Sequence, residues 1–442
     1  MSSEAACRPP AGTTYLSVGQ DLFSVNEYVM SQYNHSLHVD INSTAEEEVD
    51  VGDSTHHLSV SSFVPSAFMV YSDLQTLRGL WAATDYGSGI QYADGLLDLF
   101  PSIDHSQKAV ATTAGLQIGL WLNGTQGCYS ICEGELDKQI QQLIAYLEHS
   151  RASKIFLRLG YEFDNPSFGY SDHPKLYILA FRKIVSDCRK GLSAKAQARV
   201  MFVWHSWGAP MASAKLKLHS FYPGDAFVDW IGVSIFQQVL PWSPPWGGQI
   251  SDVENVLEFA QEHNKPTMIA ESTPFGGIEL KQASKEAKEN INATFDPWDR
   301  WYGQVIEIIK KYDVSMWCYI NCDWESQPQW HNVGFGETRL SSNKEVMSKW
   351  HEQIMIGKSN RTFLHLGALD NCGSTILSTN SGEDSDEDWF TPDHFLSFIL
   401  VPFIVASAAF FIPYYILGGR RRRDRSTKRE RRPLLADINE KF

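Results

Sequence analysis

Lys154-Ile155-Phe156-Leu157-Arg158-Leu159-Gly160-Tyr161-Glu162 is a strand-like run that ends on a carboxylate. A second run of the same kind, Lys265-Pro266-Thr267-Met268-Ile269-Ala270-Glu271, stands about a hundred residues downstream. In both, the glutamate arrives where the chain leaves the strand. In a barrel of parallel strands every such exit opens onto one rim, so groups remote in sequence converge there. The pair is what a retaining glycosidase on a (β/α)8 barrel needs: one carboxyl as acid then base, the other as nucleophile, about 5 to 5.5 Å apart.

Around these two runs lie six more short apolar segments, giving Tyr15 to Gly19, Ala67 to Tyr71, Leu116 to Leu122, Lys154 to Leu159, Val200 to Trp204, Trp230 to Ile235, Thr267 to Ala270 and Ser315 to Ile320. Helical periodicity fills the spaces between them, clearest over Glu133 to Ser150, Pro174 to Cys188, Val253 to His263 and Pro297 to Tyr312. Strand alternating with helix implies a parallel α/β fold, and eight strands imply a TIM barrel. The polar, acidic stretch from His35 to Ser62 reads as a long loop after the first unit. The glutamates then end strands four and seven.

At this point the chain resembles clan A glycoside hydrolases, and within them the family 26 type of β-mannanase. The stretches that carry the resemblance are FLRLGYEFDNPSFGY from Phe156, FVWHSWG from Phe202, YPGDAFVDWIGVSIF from Tyr222 and KPTMIAESTPFG from Lys265. The resemblance implies Glu162 as acid/base and Glu271 as nucleophile in an endo-β-mannanase-like enzyme. Three positions depart from the pattern: Tyr161 stands where a His usually precedes the acid/base, and Ser234 and Phe236 stand where an Asp and a Tyr usually end strand six. The usual Tyr bonds the nucleophile, so Phe236 is expected to leave Glu271 without that partner, and specificity for mannan does not follow.

Other residues near the strand ends are of types that bind sugar hydroxyls or stack on rings: Arg158, Tyr161, His205, Trp207, Gln237 and Trp324, with Gln238, Asn321 and Asp323 beside them. Arg158 is placed to hold the nucleophile ionised. Gln20 and Asp21 end strand one and are expected to support the site from below. No cofactor or metal is called for, since no glycine-rich phosphate loop, CxxC or HxxxH occurs in the required context.

The 442 residues carry a formal charge of −14, yet the segment from Gly418 onward is basic, leaving about −20 upstream. So acidic a body argues against a nucleic-acid partner. Phe395 to Leu417 is 23 residues without a charge, followed by Arg420 to Arg423. That is a C-terminal single transmembrane helix whose basic flank stays cytosolic. MSSEAACRPPAGTTYLS holds no apolar run that reads as a secretory signal, so the leader for a translocated body is expected to lie outside this chain, or the membrane segment itself directs insertion.

Sequons at Asn34, Asn42, Asn123, Asn292 and Asn360, and cysteines spaced four apart at Cys128/Cys132 and Cys318/Cys322, fit a luminal or extracellular domain with N-glycans and local disulfides. Glu430, Leu434 and Leu435 match an acidic dileucine pattern that resembles endosomal, lysosomal or vacuolar sorting signals, with a cytosolic adaptor as partner. The expected layout is an N-terminal segment 1–11, a catalytic barrel 12–356, an acidic stalk 357–394, the membrane helix 395–417 and a tail 418–442. The function expected is hydrolysis of a mannan-type or related β-glycan with retention. A degenerate glycan-binding membrane protein and a transglycosylase are the alternatives.

Overall fold

The computed structural model describes residues 7–43, 60–81, 114–208, 218–241, 243, 247–279, 296–328, 330–370 and 372. The membrane helix Phe395 to Leu417, the sorting residues Glu430, Leu434 and Leu435, Asn292, and residues 371 and 373–394 of the expected stalk lie outside them. Among the described residues no helix is long and apolar enough to cross a membrane.

Eight parallel strands close into a barrel: β1 Thr13–Gly19, β2 Ala67–Asp73, β3 Gly115–Trp121, β4 Ile155–Leu159, β5 Val200–Ser206, β6 Trp230–Ile235, β7 Thr267–Ser272 and β8 Met316–Ile320. Their order round the sheet is their order in sequence, and the β1–β2 pairing Ser17↔Ala67 completes the circle. Each of the eight expected runs is a strand. A ninth, β9 Thr362–Leu364, lies parallel to the beginning of β1, pairing Thr13↔Thr362 where β2 does not reach. The folded body therefore continues past the expected boundary at 356, and it reaches back to Cys7, which is bonded to Cys372.

Helices follow the strands where periodicity places them: α3 Asp137–His149, α4 Pro174–Gly191, α6 Ile250–Glu262 and α7 Gly303–Tyr312, the last preceded by a π turn at Trp298–Tyr302. Short helices α2 Gly124–Cys132 and α5 Ala194–Gln197 precede α3 and β5. One expectation fails. The supposed loop from His35 begins inside α1, Leu22–Ser43, whose first turn is capped by the Asp21 carboxylate accepting from Ser24 N at 2.7 Å. The last helix, α8 Lys344–Trp350, starts from Asn343, which accepts from two backbone amides of its first turn.

Inside the barrel the floor is apolar: Tyr15, Phe156, Met201, Trp230, Met268 and Met316 are all buried in one cluster with Leu369. Alternate residues of β4 continue inward from Phe156 to Arg158, and those of β5 from Met201 and Val203 to His205. The polar layer thus sits directly above an apolar plug, at the C-terminal end of the strands.

The cysteine expectation is corrected. Cys128, Cys132, Cys318 and Cys322 are free thiols. Cys128 and Cys132 lie one turn apart on α2, where Cβ atoms are about 5–6 Å apart, too far for the roughly 3.8 Å a disulfide needs. Cys318 packs its sulfur 3.7 Å from Met69 Sδ, whereas Cys322 accepts from Gln327 Nε2 at 3.0 Å.

Candidate active site

Glu162 sits three residues past β4 with φ 51°, a left-handed conformation reached through Gly160 at φ 55°. Its carboxylate is buried and accepts two hydrogen bonds, from Ser234 Oγ at 2.6 Å and from Asn165 Nδ2 at 3.1 Å. No cation bonds it among the described residues. Burial, and then the charge of Glu271, push its pKa from 4.5 up to about 8, against the two hydrogen bonds.

Glu271 reaches the same space by a different device. Strict alternation from Met268 and Ala270 would turn Glu271 outward, but the β6–β7 register slips: Val233 pairs with Ile269 and Ser234 with Glu271, leaving Ala270 unopposed. This bulge re-aims the glutamate inward. The Gln117 side chain from β3 crosses the barrel and donates to the Ala270 carbonyl at 2.5 Å, satisfying a group the bulge would otherwise orphan.

Glu271 Oε1 then pairs with Arg158 Nη1, a fully buried guanidinium. The rings of Tyr71 and Tyr161 flank that guanidinium, their centres 5.2 and 5.4 Å from its carbon. The Tyr71 hydroxyl keeps its proton, its pKa raised by burial and further by the charge of Glu271. Gly119 on β3 gives this cluster room, since a Cβ there would meet Tyr71 at 2.6 Å and Arg158 Nη2 at 2.8 Å.

His205 completes the buried layer, with Nδ1 3.1 Å from Arg158 Nη1 and Nε2 3.0 Å from Ser234 Oγ. Burial and the neighbouring guanidinium hold its pKa well below the usual value, so the ring is neutral. Below the loop of Glu162, Asp164 accepts from Ser206 Oγ and Trp207 N, both at 2.6 Å, tying the end of β4 to that of β5. Burial pushes its carboxyl up to about 6.

Of the residues expected at the site, Glu162, Glu271, Arg158, Tyr161 and His205 come together. Trp207 is half-buried at the end of β5, and its backbone is held by Asp164 and by Gln238 Nε2 at 3.2 Å. Gln237 is buried beside Gly247, and Asn321 is spent on Ser24 O and Leu340 N. Trp324 is 2% exposed, its ring stacked 4.4 Å from Phe335 and its N–H given to Thr338 Oγ1 at 3.0 Å, so its face is already covered. Gln20 bonds Gln327 and Asp21 caps α1, which makes both structural.

Glu271 lacks the usual Tyr partner at 236 but has another. Phe236 packs edge-on against Phe335, while Arg158 supplies the nucleophile position with its partner. Sequence reading missed Tyr71, Gln117, Gly119 and Asn165; of these only Asn165 carried a signal, lying within the strand-four motif. Three sequons, Asn34, Asn123 and Asn360, are exposed, and Asn42 lies in the last turn of α1.

No family model matches the chain. Among characterised proteins it is 25% identical over 378 residues to a β-1,3-xylanase of Alcaligenes sp, covering 81% of this chain and 68% of that protein. To a β-1,3-xylanase of Vibrio sp it is 26% identical over 368 residues, covering 80% and 68%. Solved structures include a Cellulomonas fimi endo-β-1,4-mannanase (14% identity, 84% of this chain and 78% of that one, TM-score 0.49) and the catalytic domain of a Bacillus sp. JAMB-750 GH26 endo-β-1,4-mannanase (15% identity, 77% and 93%, TM-score 0.42). By its strand-end motifs and by these sequence relatives, the chain resembles the clan A glycoside hydrolases of the family 26 type.

Proposed function

We propose that the chain is a glycoside hydrolase that cleaves a β-linked polysaccharide with retention, Glu162 acting as acid and then base and Glu271 as nucleophile. The observation that carries this is the opposed setting of two buried glutamates. One is paired with a buried guanidinium, a fixed counter-charge. The other has only neutral donors and a pKa pushed far up, the environment of a general acid. In the first step Glu271 would attack the anomeric carbon while Glu162 gives its proton to the departing oxygen; in the second Glu162 takes a proton from the water that releases the sugar.

The sequence relatives make β-1,3-xylan the first substrate to try, with β-1,4-mannan second. The test is release of reducing sugar by the full chain from a panel of β-xylans, β-mannans and β-glucans. Activity on at least one polymer, lost in Glu271→Gln and in Glu162→Gln, is the expected result; a folded chain inactive on all of them would reject it. The ion pair at Glu271 answers the loss of the usual Tyr at 236, which weighs against a degenerate, binding-only barrel.

We also propose that Phe395 to Leu417 anchors the chain with the barrel luminal or extracellular. The Cys7–Cys372 disulfide and the exposed sequon asparagines support it, since disulfides persist in oxidising compartments. Loss of mass on treatment with peptide N-glycosidase is expected, and an unglycosylated chain with free Cys7 would contradict it.

A further inference from the structure

Ser234 stands where the resemblance expects an acidic residue, and it touches both halves of the site: its hydroxyl bonds Glu162 at 2.6 Å, and its backbone pairs in register with Glu271. The chemistry of its neighbours fixes which way each hydrogen points. A guanidinium has donors and no acceptor, so Arg158 Nη1 must donate to His205 Nδ1. A neutral imidazole carries one proton, which therefore resides on Nε2 and is given to Ser234 Oγ, 3.0 Å away. With its oxygen accepting from His205, the Ser234 hydroxyl turns its own hydrogen to Glu162 Oε1.

We infer that Ser234 and His205 are positioning residues for the acid/base: a one-way chain of hydrogen bonds from Arg158 through His205 and Ser234 presents a hydroxyl proton to Glu162, orienting its carboxyl and setting the pH at which it gives up its proton. The inference rests on the proposed role of Glu162. The ordering follows from the sequence of strands, since β4, β5 and β6 are neighbours and each contributes one member at its upper end. It also couples the two glutamates, because the guanidinium that starts the chain is the one that holds Glu271.

The direction of the effect follows from the charge state each bond favours. A donor to a carboxylate stabilises the ionised form, so the Ser234 bond draws the Glu162 pKa down while burial and Glu271 push it up. Among the described residues the titratable groups facing Glu162 are Glu271 from β7 and Asp164 from its own loop, with His205 and Arg158 reached through Ser234. A serine in place of an acid thus gives Glu162 a hydrogen bond without adding a third negative charge.

The test is titration of the Glu162 carboxyl by carbon NMR in the full chain, its signal assigned as the one missing from Glu162→Gln, alongside the pH profile of kcat/KM. Ser234→Ala is expected to move that titration, and the alkaline limb of the profile, up by about one pH unit. Ser234→Thr, which keeps the hydroxyl, should leave both in place, and His205→Phe should shift them in the direction of Ser234→Ala by a smaller amount. A titration unmoved in a folded Ser234→Ala overturns the inference, whether or not activity falls. Absence of hydrolysis in the unaltered chain would instead overturn the proposed function, and the carboxyl titration would still read the Ser234 effect.

Discussion

Arg158 is one side chain on which both glutamates depend, through an ion pair on one side and the His205–Ser234 chain on the other. Replacing it by Met keeps the stem but leaves Glu271 buried without a counter-charge. Breaking a buried pair from one side costs about 3–5 kcal/mol, so Arg158→Met is expected to lower the urea midpoint and to reduce kcat/KM by at least about 10²-fold. A variant that retains stability and activity would remove Arg158 from the site. Glu162 carries the opposite liability. Its pKa is raised in the fold, so below about pH 4.5 it costs nothing, and the fold loses stability as pH climbs from there toward 8. Glu162→Gln should therefore stabilise the protein little at pH 4 and progressively more as pH rises toward 8, read as a melting-temperature difference that grows with pH. A difference that is flat or shrinks with pH would contradict the assignment. At this level the two glutamates and His205 were legible because each follows the end of an apolar run, and Arg158 because it is the one charge inside such a run. Tyr71 and Gln117 were not, since nothing local distinguishes a tyrosine or glutamine that lines the site from one that lies elsewhere on a strand.

The strands themselves were readable for a simple reason: each is walled by helices outside and by side chains inside, so it appears as a short unbroken apolar run bounded by turns. What the runs did not reveal is the bulge at Ala270, which carries no glycine or proline and yet decides which way Glu271 points. Gln117→Leu removes the donor to the Ala270 carbonyl, and is expected to cost about 1–3 kcal/mol together with a loss of kcat larger than the loss of KM, because the nucleophile is misplaced while the rim is intact. Gly119 is a second hidden element-level requirement. The methyl of Gly119→Ala would press on Tyr71 and Arg158 Nη2, so activity is expected to fall in a protein whose secondary structure, by circular dichroism, is unchanged. The helix over His35–Ser43 escaped reading because the buried face leading into it is polar: Gln32 and Ser36 are buried where an amphipathic pattern would show leucines.

The described body is a barrel closed by the β1–β2 pairing and sealed below by β9 and the Cys7–Cys372 disulfide, which spans 365 residues. No local spacing could have signalled a bond between cysteines so far apart in sequence, which is why reading fell on the two close pairs instead. Cross-linking over so long a loop restricts the unfolded chain, and Cys7→Ser with Cys372→Ser is expected to cost about 2–4 kcal/mol of stability while leaving kcat unchanged at 25 °C, since the bond lies at the opposite end of the strands from the glutamates. The polar layer above an apolar plug gives the barrel a single rim at which two glutamates in opposite settings meet. Proton NMR of the anomeric signals during cleavage of the best β-glycan tests that arrangement as chemistry. The β-anomer is expected as first product, with the α-anomer growing in later by mutarotation. An α-anomer formed first, or no cleavage by the folded chain, would contradict it.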